Sequence, residues 1–210
     1  MKKIASLILI ILIFNSCNTR QDCSDQGKLL YESMEYENAI ASLSTCLSVD
    51  SLNQIALTYR SLAYLDLREF ELALKDLNQS FKIDSTSPHL LNSLGVYYDN
   101  KDSIELSIYY YKKAIFYDST YALAYSNLGV ITSETKQFEL SRYFHNKAIS
   151  LWPNDSRLYI RRATFYWKIK EIDSALIDLN TAIYKSNTVI EKVTAYYQRG
   201  LIFEDIYEYE

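Results

Sequence analysis

Residues 54–87, QIALTYRSLAYLDLREFELALKDLNQSFKIDSTS, run from the apolar-rich stretch Tyr59-Arg60-Ser61-Leu62-Ala63-Tyr64 to the helix-stopping pair Asp84-Ser85. The same layout recurs on both sides of them. Gly27, Gly95 and Gly129 are separated by 68 and 34 residues, and Ser61 and Ala163 fill the missing steps with other small side chains. A fixed period of 34 residues marks a stacked array of one supersecondary unit.

Counting repeats from residues 20, 54, 88, 122, 156 and 193, the eighth residue is small in all six: Gly27, Ser61, Gly95, Gly129, Ala163 and Gly200. The twentieth (Ala39, Ala73, Ser107, Ser141, Ala175) and the twenty-seventh (Cys46, Ser80, Ala114, Ala148, Ala182) are small as well. Antiparallel helices approach closely only where the crossing side chains are small, so these columns have a packing reason. Large residues lie between them, with Leu57, Leu91, Tyr125, Tyr159 and Tyr196 at the fourth place and Leu30, Tyr64, Tyr98, Tyr166 and Phe203 at the eleventh. Tyr36, Phe70, Ile104, Phe138, Ile172 and Tyr209 hold the seventeenth, where a second helix starts. Asp50-Ser51, Asp84-Ser85, Asp118-Ser119, Trp152-Pro153 and Ser186-Asn187 close the repeats, and Pro88 sits at a helix start.

Length, small columns and large columns together resemble the tetratricopeptide repeat family over residues 20–210. The resemblance implies an all-α superhelix of antiparallel hairpins whose first helices line a groove for a peptide or a partner helix. The expected organisation is five repeats in 20–189 (20–53, 54–87, 88–121, 122–155, 156–189), an insertion near residues 187–191, and the first helix of an incomplete sixth repeat in 193–210. Glu208-Tyr209-Glu210 repeats Glu35-Tyr36-Glu37. Either the last helix caps the array or the chain is a piece of a longer protein, and the intact columns favour the second.

At the other end, Lys2-Lys3, an apolar run from Ile4 to Phe14, and Asn15-Ser16 before Cys17 form a secretory signal in residues 1–16. Eleven apolar residues fall short of the ~20 that span a bilayer. Phe14-Asn15-Ser16-Cys17 resembles a bacterial lipobox, with Phe14 and Asn15 where that pattern prefers Leu and a small residue. The resemblance implies cleavage before Cys17, lipid on its thiol, a short linker in 17–19 and a bacterial envelope location, with Asn18 favouring the outer membrane. An ordinary secretory signal or an uncleaved anchor is the alternative. Loss of residues 1–16 takes two lysines and no acid, moving the net charge from −4 to −6, which argues against nucleic acid.

Catalysis has little to draw on. His89 and His145 are the only histidines, and no phosphate loop or nucleophile elbow occurs. No catalytic residue, cofactor or metal site is expected. His145 shares a core column with Leu43, Leu77, Tyr111 and Leu179, whereas His89 falls at a groove position. Cys23 and Cys46 would meet across the first hairpin, as a disulfide or as two packed thiols.

The helix from Ser156 is locally basic, with Arg157, Arg161, Arg162, Lys168 and Lys170 and no acid. Arg157, Arg161 and Lys168 share a face by their spacing of 4 and 7. Family members that clamp a C-terminal carboxylate place an Asn 30 residues before a Lys and 34 before an Arg. Asn127, Arg157 and Arg161 have that spacing, with Arg for Lys, while Asn92 and Val96 depart from the other half of the clamp. With Trp167 and Tyr197 as apolar anchors, and His89, Asn92 and Lys168 beside them, this groove is expected to take an acidic or C-terminal peptide segment of an extracytoplasmic protein. A solvated basic face is the competing account. Two other functions stay open: an input module of a longer enzyme or sensor, and a glycan-capturing lipoprotein using aromatic stacking.

Overall fold

The computed structural model describes residues 20–207. The expected signal segment in 1–16, Cys17, residues 18–19 and Glu208-Tyr209-Glu210 lie outside them. All secondary structure in the described residues is helical: α1 (Arg20–Glu32), α2 (Tyr36–Val49), α3 (Gln54–Asp66), α4 (Phe70–Ile83), α5 (Pro88–Asp99), α6 (Ile104–Tyr117), α7 (Ala122–Glu134), α8 (Phe138–Leu151), α9 (Ser156–Lys168), α10 (Ile172–Lys185) and α11 (Val189–Tyr207). This is the all-α tetratricopeptide fold. The helices fall into two compact units, one ending at Thr86 with α1–α4 and one beginning at Ser87 with α5–α11.

In the N-terminal unit, Ala39, Leu43, Cys46, Ala56 and Leu57 are buried together. A disulfide joins Cys23 to Cys46, with Cα atoms 5.5 Å apart, and so staples α1 to α2. A Cβ on Gly27 would meet the Leu43 side chain, which shows why the eighth place must be small: it receives the twenty-fourth residue of the same hairpin. In the C-terminal unit, Gly95 receives Tyr111 and Gly129 receives His145 in the same way. Leu91, Tyr111, Ala114 and Leu128 form one cluster there, and Tyr159, Ala163, Leu179 and Ile202 another.

The helix ends explain why glycine is so scarce. Met34, Arg68, Asp102, Lys136 and Lys170, each the fifteenth residue of its repeat, adopt φ between 54° and 61°. The following N–H donates back to the eleventh carbonyl, as in Glu69 to Tyr64 (2.8 Å) and Gln137 to Thr132 (2.8 Å). That pattern is a helix stop that favours glycine in the left-handed position. No glycine stands at any of the five. Lys136→Gly is therefore expected to stabilise the protein by about 0.5–1 kcal/mol, the relief of left-handed strain exceeding the entropy added to the unfolded chain. A thermal melt should rise by about 2–3 °C.

Asp84 and Asp118 each follow a second helix, and their Oδ1 atoms accept the N–H (2.8 Å) and hydroxyl (2.6 Å) of Thr86 and Thr120. Those bonds hold both carboxyls below the usual range. The residues near Asn187 add length to the last helix and no separate element. α11 begins at Val189, four residues before the expected start at 193, and Asn187 donates its backbone N–H to the Glu191 carboxylate (3.1 Å).

Candidate functional site

Residues 34 or 35 positions apart on successive first helices of the C-terminal unit meet as polar rungs. Asn127 on α7 donates through Nδ2 to Oδ1 of Asn92 on α5 (2.9 Å). Its own Oδ1 accepts from Nη1 of Arg161 on α9, which also reaches Ser126 Oγ at 3.5 Å. Three hairpins thus contribute one connected chain, Asn92–Asn127–Arg161. Asn92 is buried, Asn127 half-buried and Arg161 exposed, so the chain climbs from the helix packing to the surface. A second rung runs from Thr164 Oγ1 to Gln198 Oε1 on α11 (3.2 Å).

The remaining sequence candidates have other duties. Arg157 folds back onto its own helix start, its Nε and Nη2 donating to Oδ1 (2.9 Å) and Oδ2 (2.7 Å) of Asp155, which also caps α9 by accepting the Arg157 N–H. Lys168 Nζ donates to the carbonyl of Ser133 near the end of α7 (3.0 Å), where a cation is favoured by the helix dipole. Trp167 packs against the core of the last hairpin and donates from Nε1 to Asp205 Oδ2 (2.8 Å), an oxygen that also accepts from Lys170 Nζ (2.9 Å). The Lys170 and Trp167 bonds hold the Asp205 carboxyl below its usual range. Tyr197 stands in the column of Asn92 on α11 and is 66% exposed. His89 lies edge-on to Tyr121, with ring centroids 4.9 Å apart.

Acids temper this face. Burial first, then the charges of Glu134 and Asp102, push the Asp99 carboxyl above its usual range, against the opposing pull of Arg161. A guanidinium and a reluctant carboxylate are thus close enough to feel each other beside the Asn127 rung.

His145 belongs to the core. Its ring stacks on Phe165 (5.6 Å, 30°), and Nδ1 has no hydrogen-bond partner among the described residues. Burial, reinforced by Arg161 and Arg162, pushes its pKa down to about 3. Because that lies below the unfolded value near 6.5, the unfolded chain takes up the proton first as pH falls, and stability declines between those two values. Moving from pH 7 to pH 5 should cost about 2 kcal/mol, at ~1.4 kcal/mol per pH unit below 6.5. Urea titrations at the two pH values measure the cost, and His145→Leu should flatten the slope.

Two residue pairs outside the sequence candidates organise the hairpins. Arg162 chelates Asp178 through Nε and Nη2, both at 2.7 Å, and reaches Asn146 Oδ1 on the preceding hairpin (2.7 Å). In the N-terminal unit, Arg60 binds Asp76 (2.7 and 2.9 Å) and Ser44 Oγ (2.9 Å) in the same places. The signal was in the columns: where the seventh residue is Arg the twenty-third is Asp, and where it is Leu94 or Leu128 the twenty-third is Tyr110 or Phe144.

No protein-family model matches the sequence, and no curated protein matches it. Solved structures do. The chain is similar to TTC0263, a thermophilic TPR protein of Thermus thermophilus, at TM-score 0.75 and 16% identity over 87% of this chain and all of that one. It is similar to PilF of Pseudomonas aeruginosa at TM-score 0.62 and 18% identity, covering 90% and 92% of the two chains. PilW, a widely conserved type IV pilus biogenesis factor, matches at TM-score 0.64 and 17% identity over 92% and 96%.

Proposed function

We propose that the protein is a non-catalytic scaffold that binds a peptide segment of another protein on the first-helix face of its C-terminal unit. The observation that carries this reading is the hydrogen-bonded chain Asn92–Asn127–Arg161, which holds an exposed guanidinium in one orientation before any ligand arrives. Pre-set donors lower the ordering cost of binding. A guanidinium fork suits a carboxylate, and exposed Tyr197 offers an apolar contact on the next helix of that face. The ligand class that fits is therefore an acidic segment or a free C-terminus. Arg157, Trp167 and Lys168 shape the face through the bonds they make to Asp155, Asp205 and Ser133.

The lipobox-like Phe14-Asn15-Ser16-Cys17 supports anchoring of the scaffold to a bacterial envelope membrane through lipid on Cys17, and Asn18 after it favours the outer membrane. The Cys23–Cys46 disulfide suits such an oxidising compartment. PilW, whose fold is similar, is a type IV pilus biogenesis factor. Calorimetric titration of a panel of acidic peptides, each as free acid and as C-terminal amide, tests the binding. The bound form should lose at least tenfold in affinity on Arg161→Ala, a free acid tighter than its amide marking a free C-terminus and equal affinities an acidic segment; affinities unchanged by Arg161→Ala would overturn the reading.

A further inference from the structure

The second helices of the C-terminal unit carry a pattern that neither the core nor the first-helix face uses. Places 18, 22, 26 and 29 of a repeat are spaced three or four apart along the helix and share one face, whose edge place 19 borders. On α6 they are Glu105, Leu106, Tyr109, Lys113 and Phe116, and on α8 they are Glu139, Leu140, Tyr143, Lys147 and Ser150. On α10, Asp173, Ile177 and Tyr184 continue the rows. The seven large apolar side chains among these are 41–89% exposed. At roughly 200 Å² each they leave on the order of 800 Å² of such surface open to water across the three helices. The amount is about one side of a standard stable interface.

The charges around the patch say what fits it. Glu105 and Lys113 lie four residues before and four after Tyr109, and Glu139 and Lys147 lie four before and four after Tyr143. Lys113 already leans over the Tyr109 ring at 5.0 Å. A row of acids therefore borders the apolar centre toward the helix starts, and a row of lysines borders it toward the helix ends. Turning a second copy over about a two-fold axis that runs across the three helices lays α6 on α6 and α8 on α8, antiparallel. Tyr109 then faces Tyr109, Tyr143 faces Tyr143, Glu105 faces Lys113 and Glu139 faces Lys147. The other two-fold in the plane would set acids on acids. An isologous contact needs such a self-complementary patch.

The geometry points to this face of α6, α8 and α10 as the surface through which two copies of the chain associate, antiparallel, about Tyr109 and Tyr143. The inference rests on different helices from the proposed peptide site and stands or falls separately. Sedimentation velocity on the purified protein from about 1 to about 100 µM should show a monomer–dimer equilibrium. Tyr143→Glu should leave only monomer. Glu139→Lys should weaken the dimer at least tenfold by placing like charges opposite each other, and Glu139→Lys with Lys147→Glu should restore it to within about threefold. These positions are at the surface, so helical circular dichroism should be unchanged in every variant. A native protein that stays monomeric throughout the range overturns the proposal. So does a dimer indifferent to Tyr143→Glu, or a double variant no tighter than Glu139→Lys alone. Monomer that instead collects on phosphatidylglycerol vesicles through Tyr143 would assign the face to a lipid surface and equally overturn it.

Discussion

Asp178→Ala is expected to destabilise the C-terminal unit by about 3–5 kcal/mol, because it strands a guanidinium in a site built for a pair. The Arg162 and Asp178 side chains are 18% and 4% exposed, and both guanidinium–carboxylate contacts are 2.7 Å. Two charges that have left water are balanced only by each other, so removing one costs far more than the pair contributes. The other repeats indicate the repair. Leu128 with Phe144 occupies the same two columns one hairpin earlier. Arg162→Leu combined with Asp178→Phe should therefore bring stability back to within about 1 kcal/mol of the parent, an apolar pair for an ionic one. Guanidinium denaturation of the three proteins decides it. If Asp178→Ala costs under 1 kcal/mol, or the double variant is no better than the single one, the pair is not acting as a buried unit.

That column pair shows what kind of information the sequence carries openly and what kind it hides. Period, repeat phase and helix order were legible because packing constrains side-chain size at every crossing, and Gly95 beneath Tyr111 is as plain in the columns as in the structure. The left-handed fifteenth position was not, since Met34, Arg68, Asp102, Lys136 and Lys170 share no turn-forming chemistry and are held by the helices on either side. The basic character of α9 was legible, but its meaning was not. Counting charges along one helix misses that Asp155, Asp178 and Asp205 sit on neighbouring segments and bind Arg157, Arg162 and Lys170. Asn127 and Arg161, by contrast, come together as their spacing of 34 suggests, because equal places on successive first helices touch.

Cys23→Ala should cost roughly 3 kcal/mol, the chain-entropy value for a loop closed over a separation of 23 residues, and the loss should be concentrated in the first hairpin. The variant keeps Cys46, which is buried beside Leu43 and Leu57, so it removes the covalent constraint with little change in core volume. α1 is 13 residues long and polar on average, too short to persist in water without the partner to which it is stapled. Repeats touch only their neighbours, so opening the first hairpin need not carry the later ones with it. Hydrogen exchange should accordingly rise in α1 and α2 while α9 and α10 keep their protection, and the native protein in excess dithiothreitol should match the variant. Uniform loss of protection along the chain would mean that the bridge supports the whole array. A loss below 1 kcal/mol would mean that packing alone holds the hairpin. A hairpin that depends on this bridge is held closed only where disulfides persist, so reduced chain should be cut in α1 by protease under conditions in which the oxidised chain is not.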